Sequence, residues 1–104
     1  MKFKFPKKIT IGDVVWKIKY LKDYAGGSFL YKDHTINIGI KHYKNNPTRT
    51  LNVIIHELKE IIQVENDTRL ERGNNDSDYV FVYGHREHTD ICRRLAGLLV
   101  EFII

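Results

Sequence analysis

Apolar and polar residues alternate with a period of two over the first forty positions of the chain, and this predicts strands. Val14, Trp16, Ile18 and Tyr20 fall on one face while Lys17 and Lys19 fall on the other, the pattern of a strand with one side against a core. After Gly26 and Gly27 the run Phe29-Leu30-Tyr31 leads into Lys32-Asp33-His34, a turn-like tripeptide. Ile36, Ile38 and Ile40 then alternate with Asn37 and Gly39, which predicts a hairpin or sheet pair.

The period changes after Asn45-Asn46-Pro47. Asn46 suits a helix cap, and Pro47 suits the first helical turn because its missing N–H would be unpaired there. Advancing about 100° per residue, Leu51, Ile54, Ile55, Leu58, Ile61 and Ile62 gather into one broad stripe, predicting a helix that runs to about Glu65. His56, Glu60 and Gln63 line the opposite side, with Val53, Val64 and Glu57 beside them. A polar stripe flanked by valines predicts that this second face is covered too, which is costly for a carboxylate unless a cation or partner compensates it. The stretch from Asn66 to Asp78 is polar and rich in Gly and Asn and reads as a loop, and Tyr79-Val80-Phe81-Val82-Tyr83 as a brief strand. From about Glu87 a second helix is predicted to run to the end of the chain, with Ile91, Cys92, Leu95, Leu98, Leu99 and Phe102 on one stripe and His88 at its centre. His85 falls one turn earlier, near or just before the start of that helix.

Composition adds class and environment. The chain has 104 residues, 42% hydrophobic and 29% charged, which predicts one α+β domain over 1–104 with a small N-terminal antiparallel or mixed sheet packed on two main helices. At this size folding buries somewhat over ~60% of the unfolded surface, enough for a core without disulfide staples. The lone Cys92 excludes an intrachain bridge and favours a reducing, cytoplasmic setting. No apolar run approaches the ~20 residues that cross a bilayer, so no membrane partner is expected. Lys and Arg number 17 against 13 Asp and Glu, a formal charge of +4. The lysines alternate with apolar residues and read as a solvated sheet face; nucleic-acid binding ranks third, because no recognition motif accompanies the charge.

The informative segment is Ile55-His56-Glu57-Leu58-Lys59-Glu60, an HExxE sequence on a predicted helix. Residues at i and i+4 lie one above the other, so His56 and Glu60 can both ligate one small ion. Glu57, turned ~100° around the axis, is positioned as a general base rather than a ligand. This is the division of labour in HExxH zinc sites, with carboxylate oxygen, an accepted zinc ligand, in place of the second imidazole. A catalytic zinc site wants a third protein ligand, for which His85 and His88 are the candidates. His88 has an alternative packing role on its apolar stripe and His85 has none, so His85 is preferred.

On these residues the chain resembles small zincin-like metallopeptidase domains, particularly the short forms carried by bacteriophages and related mobile elements. The resemblance runs from the Trp16 strand through Tyr31-Lys32-Asp33-His34-Thr35-Ile36-Asn37-Ile38 and Thr50-Leu51-Asn52-Val53-Ile54-Ile55-His56-Glu57 to the closing helix. The family pattern matches at His56 and Glu57, with Glu60 where the second ligand histidine is expected. The resemblance implies one Zn2+ ion, peptide-bond hydrolysis with Glu57 as base, and a bacterial or phage-infected host cell. It also implies that an extended peptide adds to an edge strand at about Thr35 to Ile40, with Ile36 and Ile38 as contact residues, and it leaves Tyr79, Tyr83 or His88 to stabilise the oxyanion. A degenerate zincin-fold module that binds peptide without cleaving it is the competing expectation. Arg93, Arg94 and Glu101 read as solvated. The apolar segment from Leu98 to Ile104 is expected to pack centrally rather than form a self-association patch, making the protein a monomer or weak dimer.

Overall fold

The computed structural model describes residues 2–66, 69–71, 79–81 and 84–104, with the backbone alone for 69–71 and 79–81. The fold class is α+β. In chain order the elements are β1 (Lys8–Ile11), β2 (Val14–Leu21), β3 (Gly27–Leu30), β4 (Thr35–Gly39), α1 (Pro47–Glu65), β5 (Arg69–Glu71), β6 (Tyr79–Phe81) and α2 (His85–Leu99). The first four strands form a mixed sheet ordered β1-β2-β4-β3, in which β2 and β4 are parallel and the other pairs antiparallel. No described helix is long and apolar enough to cross a membrane.

The strand alternation is realised. Trp16 and Ile18 are buried and Tyr20 is half-buried, whereas Lys17 and Lys19 are exposed. Burial pushes the Tyr20 phenol well above its ordinary range, and its hydroxyl donates to the Pro6 carbonyl. Because β4 lies between β2 and β3, the chain leaving β2 must cross the end of β4 to reach β3. It does so at Gly39, whose N–H donates to Gly26 O at 2.7 Å. A Cβ on Gly39 would lie 2.3 Å from Tyr24 O, so only glycine fits under the crossing.

Asn46 caps α1 through its side chain, which accepts from Arg49 N–H at 3.3 Å, and Pro47 opens the helix. Ile54, Leu58, Ile61 and Ile62 enter the core against Ile18, Ile36 and Ile38. The chain ends are tied together: Lys4 N–H donates to Phe102 O at 2.7 Å, Ile104 N–H donates to Lys2 O at 3.1 Å, and Phe102 is buried. The C-terminal segment thus packs centrally through Phe102, while Val100 and Ile104 remain exposed.

Three expectations need correction. The polar stretch after α1 contains a strand, β5, paired antiparallel with β6, because ladder pairing supplies what a polar sequence does not advertise. Residues 67–68, 72–78 and 82–83 lie outside the described residues. Arg94 is not simply solvated: it ion-pairs with Glu65 at 2.6 Å and donates to Asn66 Oδ1 at 3.2 Å, joining the end of α1 to α2. The second helix stops at Leu99 short of the chain end, where the last residues turn to pair with Lys2 and Lys4, and its stripe is shallow, since only Ile91 on that helix is fully buried and both Cys92 and His88 are exposed.

Candidate metal centre

The site is built by α1 and roofed by β3. Leu58 and Ile61 pull one side of the helix into the core, which turns His56, Glu57 and Glu60 toward its flank. His56 Nε2 lies 3.1 Å from Glu60 Oε2 and 4.0 Å from Glu57 Oε2. One ligand atom from each of the three residues falls within 4.8 Å of the others. Their environments differ sharply: the His56 side chain is 65% exposed, that of Glu60 14% and that of Glu57 6%.

The burial of Glu57 has a local cause. Gly27 opens β3 directly over it, so close that a Cβ there would lie 2.7 Å from Val53 Cγ1 and 3.0 Å from Glu57 Cγ. The absence of a side chain at Gly27 lets β3 cover Glu57 on the second face of α1, as the flanking valines predict, while His56 on that face stays open. In sequence this glycine signals only a chain break; its role as a close-approach residue becomes visible once β3 and α1 are brought together.

The donor set suits a borderline ion. Zn–N near 2.0–2.1 Å and Zn–O near 2.0–2.2 Å at a tetrahedral angle place the two ligand atoms about 3.4 Å apart. The His56–Glu60 separation of 3.1 Å is close to that edge, so these two residues fit one zinc ion with little movement. The 4.0 Å between His56 and Glu57 is wider than the edge and suits a carboxylate standing beside the ion. At 3.1 Å the His56–Glu60 pair is also within ion-pair reach when the imidazole is protonated.

The other predicted residues are placed elsewhere. Among the described residues the group contains neither His85 nor His88. His85 is exposed at the first turn of α2, where its carbonyl accepts from Thr89 Oγ1 at 3.0 Å. His88 is exposed one turn on, its Nε2 3.7 Å from Cys92 Sγ. The side chain of Tyr79 and the whole of Tyr83 lie outside the description. Ile36 and Ile38 are each 1% exposed on β4, an interior strand, so the expectation of an edge strand at Thr35 to Ile40 is corrected. The short β3 segment takes the outer position beside α1, because the chain returns over Gly39 and places β4 inside.

Comparison with protein-family models, with curated proteins and with solved structures finds no match for this chain.

Proposed function

We propose that the protein is a zinc-dependent peptide hydrolase whose ion is held by His56 and Glu60, with Glu57 as general base. The observation that carries this reading is the 3.1 Å His56–Glu60 pair with a second carboxylate 4.0 Å from the same imidazole nitrogen. Zinc, when bound, supplies Lewis acidity that lowers the pKa of water and polarises a carbonyl. Glu57 accepts the proton released as water attacks the scissile carbonyl and passes it to the departing amine. Its cover beneath β3 strengthens its electrostatic influence on the reacting atoms. Exposed His56 orients the open side of the site toward substrate. The likeness of His56-Glu57 and its helix to zincin-like domains supports the same roles. An extended peptide would lie along β3, Gly27 to Leu30, in place of the interior Ile36 and Ile38.

The second reading, a peptide-binding module without turnover, is favoured by the 6% exposure of the Glu57 side chain, since a general base must reach its proton. The two readings part on one assay. Zinc-loaded protein is incubated with a quenched fluorogenic peptide library beside Glu57→Gln, with zinc content measured in both. Cleavage by the natural protein, lost by at least a hundredfold in a variant that keeps its zinc, establishes hydrolysis. Absence of cleavage with zinc bound, together with saturable binding of the uncleaved peptides, supports the module.

A further inference from the structure

The sheet has a second outer strand, β1, at the edge opposite β3. Lys17 N–H donates across to His34 O at 2.9 Å, on the β4 side, and Ile18 N–H donates to Lys7 O at 2.8 Å. Lys8 and Lys17 are therefore a non-hydrogen-bonded antiparallel pair, and alternation aims the backbone N–H and C=O groups of Lys8 and Thr10 away from the sheet. β1 contains no proline, and the devices that blunt it, its four-residue length and Lys8, act against a like-charged strand rather than an acidic one.

Between that edge and the end of α2 lies a cleft of about 370 Å³, lined by Lys8, Ile9, Thr10, Gly97, Leu98 and Glu101. Gly97 sits inside a helix, where glycine is unfavourable, yet among the described residues a Cβ there would meet nothing within 4 Å. No packing against the described residues requires it. Its effect is to keep the helical wall low opposite a free strand edge.

Charge identifies the occupant. Lys8 and Lys17 stand directly opposite each other on the open face of the sheet, with Lys19 two positions along, and the four strands contain no Asp or Glu. Like charges opposite one another in a sheet are unfavourable, and side chains approach most closely in non-hydrogen-bonded pairs. A carboxylate delivered beside Lys8 relieves that repulsion. A second copy of this chain would instead bring three further lysines to the seam. On the helical side Ile9 and Leu98 favour an apolar residue, and Glu101 opposes a carboxylate there.

We propose that β1 and the cleft beside α2 form a docking site for an extended peptide segment of a partner protein, added as a fifth strand, with acidic residues on its outward face and apolar residues on its inward face. The site is independent of the zinc reading, being at the far edge of the sheet.

The test uses a fluorescein-labelled nine-residue peptide alternating glutamate with valine, one alternating lysine with valine, and a single-stranded oligothymidine. Anisotropy gives affinity, and backbone amide shifts of the full chain give location. Glutamate–valine peptide binding that shifts Lys8 and Thr10 amides supports the proposal, provided that Gly97→Leu, which fills the cleft from open space, weakens it at least tenfold and Lys8→Glu does likewise. His56→Ala leaves it unchanged. No binding, equal binding of the lysine peptide, shifts at β3 instead, or indifference to Gly97→Leu in a folded variant each overturns it. Displacement of the peptide by oligothymidine at equal charge shows a general polyanion face and also overturns it, as does a stable dimer through β1 in sedimentation.

Discussion

The two helices look alike as hydrophobic patterns and do different things. α1 is covered twice, by the core on one side and by β3 on the other, and buries Glu57 and Gln63 as well as its apolar stripe. α2 buries Ile91 alone and leaves its histidines and Cys92 at the surface. The chemistry follows the cover. Among the described residues, it is where a strand roofs the helix that a histidine meets two carboxylates held at 6% and 14% exposure. A glycine marks each helix with opposite meaning: Gly27 is needed because β3 is pressed onto α1, whereas Gly97 in α2 faces open space.

The sharpest way to break this comparison is to remove the roof. Gly27→Ala puts a methyl 2.7 Å from Val53 Cγ1 and 3.0 Å from Glu57 Cγ, and overpacking of this kind costs about 1–3 kcal/mol. Urea denaturation should register that loss, together with weakened zinc binding as α1 and β3 separate. Unchanged stability would mean that β3 does not press on the helix.

Cutting the joint between the helices has a smaller effect. Arg94→Ala removes the 2.6 Å pair with Glu65, whose partners are 26% and 18% exposed. With solvent screening allowed for, about 1 kcal/mol should be lost. Zinc affinity should hold, because the pair lies beyond the site.

Gly97→Ala should act in the other direction. With no atom of the described residues within 4 Å of the new methyl, helix propensity applies and predicts a gain of about 0.8–1 kcal/mol. A loss would show that α2 depends on that glycine for packing.

The smallest effect is a pH dependence at the surface of α2. The hydrogen bond from Arg93 holds the Asp90 carboxyl below its ordinary 3.8 against the opposing effect of desolvation, with the Asn66 hydrogen bond helping. A lowered folded pKa contributes stability that is present above pH 3.8 and is lost as pH falls through the lower folded value. Asp90→Asn should flatten that acid limb of the stability curve slightly and leave stability differences elsewhere constant with pH.

The strands of the main sheet and the start of α1 are legible because each carries its own signal: Trp16 and Ile18 alternate with lysines, and Asn46-Pro47 announces α1 by capping chemistry, whereas the polar β5 carries none. His56, Glu57 and Glu60 were legible for the same reason, since spacing within one helix fixes their geometry. What sequence hid depends on contacts between elements. The interior place of β4 rests on the crossing at Gly39, and local alternation is the same for an interior and an outer strand. Arg94 meets Glu65 across 29 positions, which no local pattern encodes. His88 sits on an apolar stripe in projection, yet α2 is too shallowly packed to bury it.

The proposed zinc ion rests on two residues of α1, His56 and Glu60. Calorimetric titration of chelator-stripped protein with zinc tests it most directly, beside His56→Ala, Glu60→Ala and His85→Ala variants. One ion per chain is expected, with affinity lost in both α1 variants. Retention in His85→Ala would place the ligands on α1 alone, and loss there would add α2 to them. Zinc that fails to bind, or that binds the His56→Ala and Glu60→Ala chains as tightly as the natural one, would contradict it.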